Sequence, residues 1–308
     1  MVLLGKLLPF FLTASLGFVC SRTAFFPDGF MAMANRLVFY IGLPAMLFVG
    51  MAAQPAGTPA ILPAVAVCIA LPSGCLLAIS VSRFLFGKGA SPIRATWIQC
   101  SIHANQGLGL PVILCLFGER GLLAAGPMFA MFIVCQNLLT TLVYQYFGKK
   151  KNSSLRAAIA GICRNPAVAA TVTGLLWHEL RLPLPAFMLE TLRILAGLFL
   201  PLALFTVGVH LAHRKQEQGN DDRPWTTFLL LAHKAFVLPF IGFLLAPALG
   251  LGKLEEQILL LCLASPTALV SGIFAAELGG SPRQAAAIIG LTHILCPLTY
   301  AFWMHLVS

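Results

Sequence analysis

The sequence predicts an all-α membrane protein of ten transmembrane helices, arranged as two inverted five-helix repeats. Three observations carry that prediction. First, 59% of the 308 residues are hydrophobic and only 10% are charged, with a mean hydropathy of +0.89. A soluble domain carries about 25% charged residues, so lipid must solvate much of this chain. Second, apolar stretches of spanning length recur between turn-forming breaks. Third, landmarks of the first half reappear, in order, in the second.

A span needs roughly 20 apolar residues. Such stretches fall at 2–21, 33–53, 60–85, 95–117, 121–147, 157–178, 188–212, 226–249, 256–277 and 283–306. Between them lie Pro27-Asp28-Gly29, Gln54 to Pro59, Gly87 to Pro92, Gly118 to Gly121, Gly148 to Ser154, Glu179 to Pro185, His213 to Pro224, Gly250 to Glu255 and Gly279 to Pro282. The segment Met1 to Cys20 imitates a signal peptide, with one Lys and small residues near its end. Its length and its later counterpart instead predict a first span.

The net charge of +10 is read loop by loop, because Lys and Arg mark the cytoplasmic side. With the N-terminus outside, one side receives fifteen basic residues. They are Arg22, Arg36, Arg83, Lys88, Arg94, Lys149, Lys150, Lys151, Arg156, Arg164, Arg214, Lys215, Arg223, Lys234 and Arg283. The other receives five: Lys6, Arg120, Arg181, Arg193 and Lys253. The asymmetry predicts a multi-pass protein of the cell membrane with both termini outside the cytoplasm. No nucleic-acid motif is present. The nine cysteines form no CxxC and lie in or beside apolar stretches, which argues against disulfides and metal. No cofactor is expected.

A shift of 157 residues carries Pro9 onto Pro166, Gly17 onto Gly174, Pro44 onto Pro201 and Phe48 onto Phe205. Tyr144 and Tyr300 match at 156, and the third and eighth spans match near 167, the excess lying in the loop His213 to Pro224. The halves are 1–147 and 157–308, joined by a short basic cytoplasmic loop at 148–156. Five helices per half is an odd number, so the second copy enters the membrane inverted, as in many secondary transporters.

Two spans are expected to be discontinuous. The fourth contains His103-Ala104-Asn105-Gln106-Gly107-Leu108-Gly109-Leu110-Pro111, and the ninth contains Ser265-Pro266-Thr267 through Ser271-Gly272. Gly and Pro weaken the helical ladder, and irregular backbone at membrane depth survives only beside protein or a water-filled cavity. Pro111 and Pro266 are offset by 155, so the breaks are nearly equivalent. Paired breaks point to a midplane site, and helix starts there favour an anion. An ordinary kinked helix is the competing explanation. The candidate substrate contacts are His103, Asn105, Gln106, Gly107, Pro111, Ser265, Pro266, Thr267 and Ser271. Gln136 and Asn137 fall on Thr292 and His293 at a shift of 156. Gln136, Asn137 and His293 join the candidates, against the alternative of interhelical hydrogen bonding. Lys234 could attract an anion, although a snorkelling lysine is the plainer expectation.

The strings Asn35 to Pro44, Asn105-Gln106-Gly107-Leu108-Gly109-Leu110-Pro111, Asn165-Pro166, Pro201 to Gly208, Ser265-Pro266-Thr267-Ala268 and Phe274 to Gly279 resemble the auxin efflux carrier family over essentially the whole chain. The family includes plant exporters of auxin and bacterial carriers assigned to malonate or malate. The resemblance implies a scaffold of spans 1, 2, 6 and 7, often dimeric, and a mobile domain of spans 3–5 and 8–10. It also implies that spans four and nine cross at Pro111 and Pro266, with Asn105 near the substrate. One departure is His103, where bacterial relatives often carry Arg; its charge depends on pH. The short loop after Gly148 fits a prokaryotic carrier.

No Asp or Glu lies mid-span, and such carboxylates are the usual proton relays and cation partners. That argues against a sodium/proton antiporter. A bile-acid-type symporter would have to bind its cation through backbone carbonyls. The chain has no HExxH, no GxSxG and no intramembrane acidic pair, so it is not expected to be an enzyme. A membrane receptor or subunit is the remaining class. The function expected is alternating-access, elevator-type transport of small organic anions, with carboxylates such as malonate, malate or auxin-like acids as substrates. The expected partners are that anion, the lipid bilayer and a second copy of the chain.

Overall fold

The computed structural model describes residues 12–13, 15–23, 25–27, 29–52, 61–87, 89, 91–148, 156, 160, 166–199, 201–202, 205, 208–209 and 224–308. The start of the first predicted span, residues 149–155 of the basic loop, Asn165 and residues 210–223 lie outside them. Among the described residues every regular element is a helix. Four are long and apolar enough to cross a membrane: Leu62–Phe86, Gln106–Phe147, Trp225–Ala248 and Pro282–Leu306. Predicted span nine is absent from that set because it is cut in two, as Lys253–Ala264 and Ser271–Glu277. Predicted span four is divided between Pro92–Ile102 and the start of Gln106–Phe147. The long helix is itself broken at Gly118, whose φ of 64° suits glycine. That is the break expected between spans four and five.

Prolines shape two further helices. Pro44 and Pro239 follow π-helical turns at Val38–Gly42 and His233–Val237. A helical proline donates no hydrogen bond and crowds the carbonyl four residues earlier. Widening the turn relieves the crowding: Leu43 N–H donates to the Val38 carbonyl and Leu238 N–H to that of His233, five residues back. Pro239 leaves the Ala235 carbonyl without a helical donor, and the Trp303 indole N–H donates to it at 2.8 Å.

Contacts divide the chain into two units, each drawing on both predicted repeats. One holds residues 1–60, 110–130 and 163–215; the other holds 61–109, 131–162 and 216–308. In the first, Leu43–Ala52 packs on Pro166–Glu179 and on Ala186–Gly197. Gly174 permits the closest approach, since a Cβ there would lie 2.8 Å from the Phe48 carbonyl oxygen. Gly17 stands in the same relation to the Phe205 carbonyl. The shift of 157 residues exchanges these two contacts, carrying Gly17 onto Gly174 and Phe48 onto Phe205.

The second unit has an apolar core that includes Trp97, Ile98, Ile102, Tyr144 and Ile288. Trp97 is fully buried and donates its indole N–H to the Thr226 carbonyl at 2.8 Å. Arg94 is buried at the start of the Pro92–Ile102 helix. It donates to Ser82 Oγ at 3.0 Å and to the carbonyls of Gly87 and Gly89 at 2.9 and 3.2 Å. Its guanidinium also lies 4.4 Å from the centroid of the Phe147 ring. Those bonds tie the guanidinium to the backbone at Gly87 and Gly89 and leave the charge well partnered.

Candidate functional site

The site is built where the two broken helices meet, inside the second unit. His103 ends one helix with extended backbone (φ −85°, ψ 95°), and the next helix begins after Asn105. Ser265 ends the other (φ −57°, ψ 144°). The extended stretches run antiparallel and bridge at Ala104 and Thr267. Asn105 N–H donates to the Pro266 carbonyl at 2.7 Å, and Ala268 N–H donates to the His103 carbonyl at 2.9 Å. Buried backbone groups must be paired somewhere. Here each interrupted helix supplies partners for the other.

Side chains complete the exchange. Pro266 has no N–H, so the Cys262 carbonyl lacks its donor four residues on; Gln106 Nε2 donates to it at 3.3 Å. The Cys100 carbonyl would be bonded by residue 104 in a continuous helix. Instead the Thr267 hydroxyl donates to it at 2.8 Å. Thr292 Oγ1 accepts from Thr267 N–H at 3.1 Å and lies 2.9 Å from the Ile288 carbonyl. Ser265 Oγ lies 2.8 Å from Tyr300 Oη and 2.9 Å from the Leu261 carbonyl. Gly109 keeps the approach close: a Cβ there would sit 2.8 Å from Ser265 Oγ.

Two histidines face these breaks. His293 Nδ1 lies 2.7 Å from the Ile289 carbonyl, which can only accept, so Nδ1 carries a proton. In the neutral ring Nε2 is then an acceptor, and Asn105 Nδ2 donates to it at 3.1 Å. His103 Nδ1 lies 3.1 Å from both Gln99 Nε2 and Thr140 Oγ1. Gln99 Nε2 also donates to Ser271 Oγ at 3.1 Å, tying the end of one broken helix to the restart of the other.

Of the residues singled out in the sequence, His103, Asn105, Gln106, Ser265, Pro266, Thr267, Ser271 and His293 belong to this bonded cluster, and Gly107 adjoins Asn105. Pro111 does not mark the crossing. It lies inside the Gln106–Phe147 helix, and the crossing falls at Ala104 and Thr267, where the chain is extended. Asn137 donates back to the Ile133 carbonyl at 2.7 Å on its own helix. Gln136 is buried with its Nε2 unpartnered. Lys234 does not snorkel: it is 2% exposed. Gln99 and Thr140 join the cluster without standing out in the sequence, and so does Tyr300, read there only as a landmark of the repeat. Gln99 does carry a signal, since it precedes His103 by one helical turn and so shares its face. Among the described residues, no three metal-ligating side chains converge.

The chain has recognisable relatives. The model of the membrane transport protein family matches residues 2–159 and 150–304. An uncharacterized transporter of Methanocaldococcus jannaschii, MJ1031, is 25% identical over 286 residues, covering 87% of each chain. The uncharacterized transporter YfdV of Escherichia coli K12 is 24% identical over 318 residues, covering 98% of this chain and 96% of its own. Matched along almost its whole length, the chain belongs to the membrane transport protein family, that of the auxin efflux carriers.

Proposed function

We propose that this membrane transport protein is a secondary carrier of small organic anions, carboxylates foremost, working by alternating access. The observation that carries the reading is the crossover. Two helices are interrupted side by side, and the interruption gathers Asn105, Gln106, His103, Thr267 and His293 among apolar helices. A binding site needs a few convergent polar groups in apolar surroundings, and this cluster supplies them without an acidic side chain. The helix beginning at Gln106 turns its positive dipole end toward the break, which favours a negative ligand. The restart at Ser271 spans seven residues and adds little.

The elevator mechanism, with spans 1, 2, 6 and 7 as scaffold and spans 3–5 and 8–10 as moving domain, is part of the same proposal. It is supported by contacts that gather residues of spans 1, 2, 6 and 7 into one unit and those of spans 3, 8, 9 and 10 into the other, with spans 4 and 5 divided because residues 110–130 fall in the first. The inverted repeat is supported by the two glycine contacts that the 157-residue shift exchanges. A homodimer and an orientation with both termini outside complete the proposal.

The test is flux in proteoliposomes. Labelled malonate, malate and indole-3-acetate are followed under imposed potentials and pH gradients. Uptake or efflux of at least one carboxylate is expected, and an imposed potential adds about 2.3 kcal/mol per charge per 100 mV. A folded preparation that moves none of them refutes the proposal.

A further inference from the structure

Lys234 sits in the π-helical turn His233–Val237 that Pro239 imposes. Such turns inside helices often mark functional positions, because they rotate a side chain out of its regular register. Here the lysine is buried, and its Nζ has no hydrogen-bond partner. The contrast with Arg94 is direct. Both are buried cations of the same unit, but Arg94 places its N–H groups on Ser82, Gly87 and Gly89. The ion pairs Arg193 with Glu190 and Lys253 with Glu256 leave Lys234 out, and among the described residues its Nζ touches no acidic oxygen within hydrogen-bond distance. An uncompensated buried ammonium costs several kcal/mol, so the amine is placed to gain from an anionic partner, and an ionisable residue inside a span marks a substrate or ion path.

A cavity adjoins the lysine. Lys234, Pro266, Thr292 and Thr299 line it with Ala264 and other apolar side chains, and its volume is about 10 Å³. That is room for roughly one oxygen-sized group. The Pro266 wall of the cavity is the turn whose carbonyl accepts from Asn105 N–H, and Thr292 holds the Thr267 N–H. The cavity therefore borders the crossover, and its open donor is the Lys234 amine.

We infer that Lys234 selects for charge in this carrier. Its ammonium receives an anionic oxygen of the carboxylate substrate in the cavity beneath the Pro266 turn. The inference rests on the anion-carrier reading and adds to it the group that neutralises the substrate.

The test compares purified wild type with Lys234→Met. Binding of malonate and of its uncharged analogue malonamide is followed by thermal shift and tryptophan fluorescence; Trp303 bonds the neighbouring Ala235 carbonyl. The wild type is expected to prefer malonate. Lys234→Met is expected to lose about tenfold or more in malonate affinity, leave malonamide unchanged and melt no lower than wild type, since an unpartnered buried amine has been removed. Malonate affinity within about twofold of wild type in Lys234→Met overturns the inference. So does a wild type that binds neither malonate, malate nor indole-3-acetate. If Lys234→Met does not fold, Thr299→Leu, which fills the cavity, must show the same selective loss; retained affinity there overturns the inference equally. Flux separates the two proposals. Wild-type transport that is indifferent to Lys234 refutes only the role of the lysine. Lysine-dependent binding without any flux refutes only the carrier.

Discussion

Thr267→Val tests whether the crossover is held together by the bonds that the broken helices lend each other. The two side chains are nearly equal in shape, and Thr267 is fully buried, so the substitution opens no cavity. It removes the hydroxyl that donates to the Cys100 carbonyl at 2.8 Å. No helical N–H replaces it, because residue 104 is extended and bridged to Thr267 itself. A buried acceptor left unpaired costs about 1–3 kcal/mol in soluble proteins. Interhelical bonds in membrane bundles average about 0.6 and reach about 1.7 kcal/mol. The orphaned carbonyl places this site at the upper end, so a loss of about 1–2 kcal/mol is expected. Thr267→Ser, which keeps the hydroxyl, should lose less than about 1 kcal/mol. The assay is reversible unfolding in mixed micelles, with flux measured in parallel. A Thr267→Val protein within about 0.3 kcal/mol of wild type would refute the reasoning, because the Cys100 carbonyl would then have another partner.

Asn105→Ala removes the side chain that donates to His293 Nε2 and should abolish carboxylate flux while the protein still folds; unchanged flux would show that the site lies elsewhere. Gly109→Ala places a methyl 2.8 Å from Ser265 Oγ and should destabilise by about 1–3 kcal/mol, with partial recovery in Gly109→Ala/Ser265→Ala; thermal unfolding measures both. Trp303→Phe leaves the Ala235 carbonyl without the indole donor and should cost about 1 kcal/mol. That cost should shrink in a Pro239→Ala background, where a backbone N–H returns to residue 239, as a double-mutant cycle would register.

Much of the crossover is legible in the amino-acid sequence, because its signals are local and chemical. Gly and Pro mark where a helix fails, and Asn, Gln, Ser and Thr mark where polar bonds replace it. The string from His103 to Pro111 holds the break, but its conspicuous proline points to the wrong place within it. The orphan that matters there is not created by Pro111, which the helix accommodates. It arises at residues 103–105, where antiparallel pairing with 266–268 offers an alternative to the helix. That partner lies about 160 residues away, and no local pattern states it. The burial of Lys234, which the sequence offers as a residue able to attract an anion, is hidden for a different reason. A lysine in the inner part of span eight is expected to snorkel to water along a regular helical face. The wide turn before Pro239 changes that face, and the proline's effect on a residue five positions earlier is not visible in composition. Gln99 is legible by spacing, yet it lies in a stretch that reads as ordinary helix.

The exchange of bonds between Ala104 and Thr267 also dictates an order of assembly. The first broken helix is made well before its complement exists. At about 5–20 residues per second, the roughly 160 intervening residues take on the order of 8–30 s to synthesise. Throughout that interval the bonds that residues 266–268 supply to the Cys100 carbonyl and the Asn105 N–H cannot form. A continuous helix, in which residues 104 and 105 bond the carbonyls of Cys100 and Ser101, is the arrangement open to the segment until residues 266–268 arrive. The crossover then closes as one of the last events of biogenesis, and a chain truncated before Pro266 should be handled by the cell as unfinished.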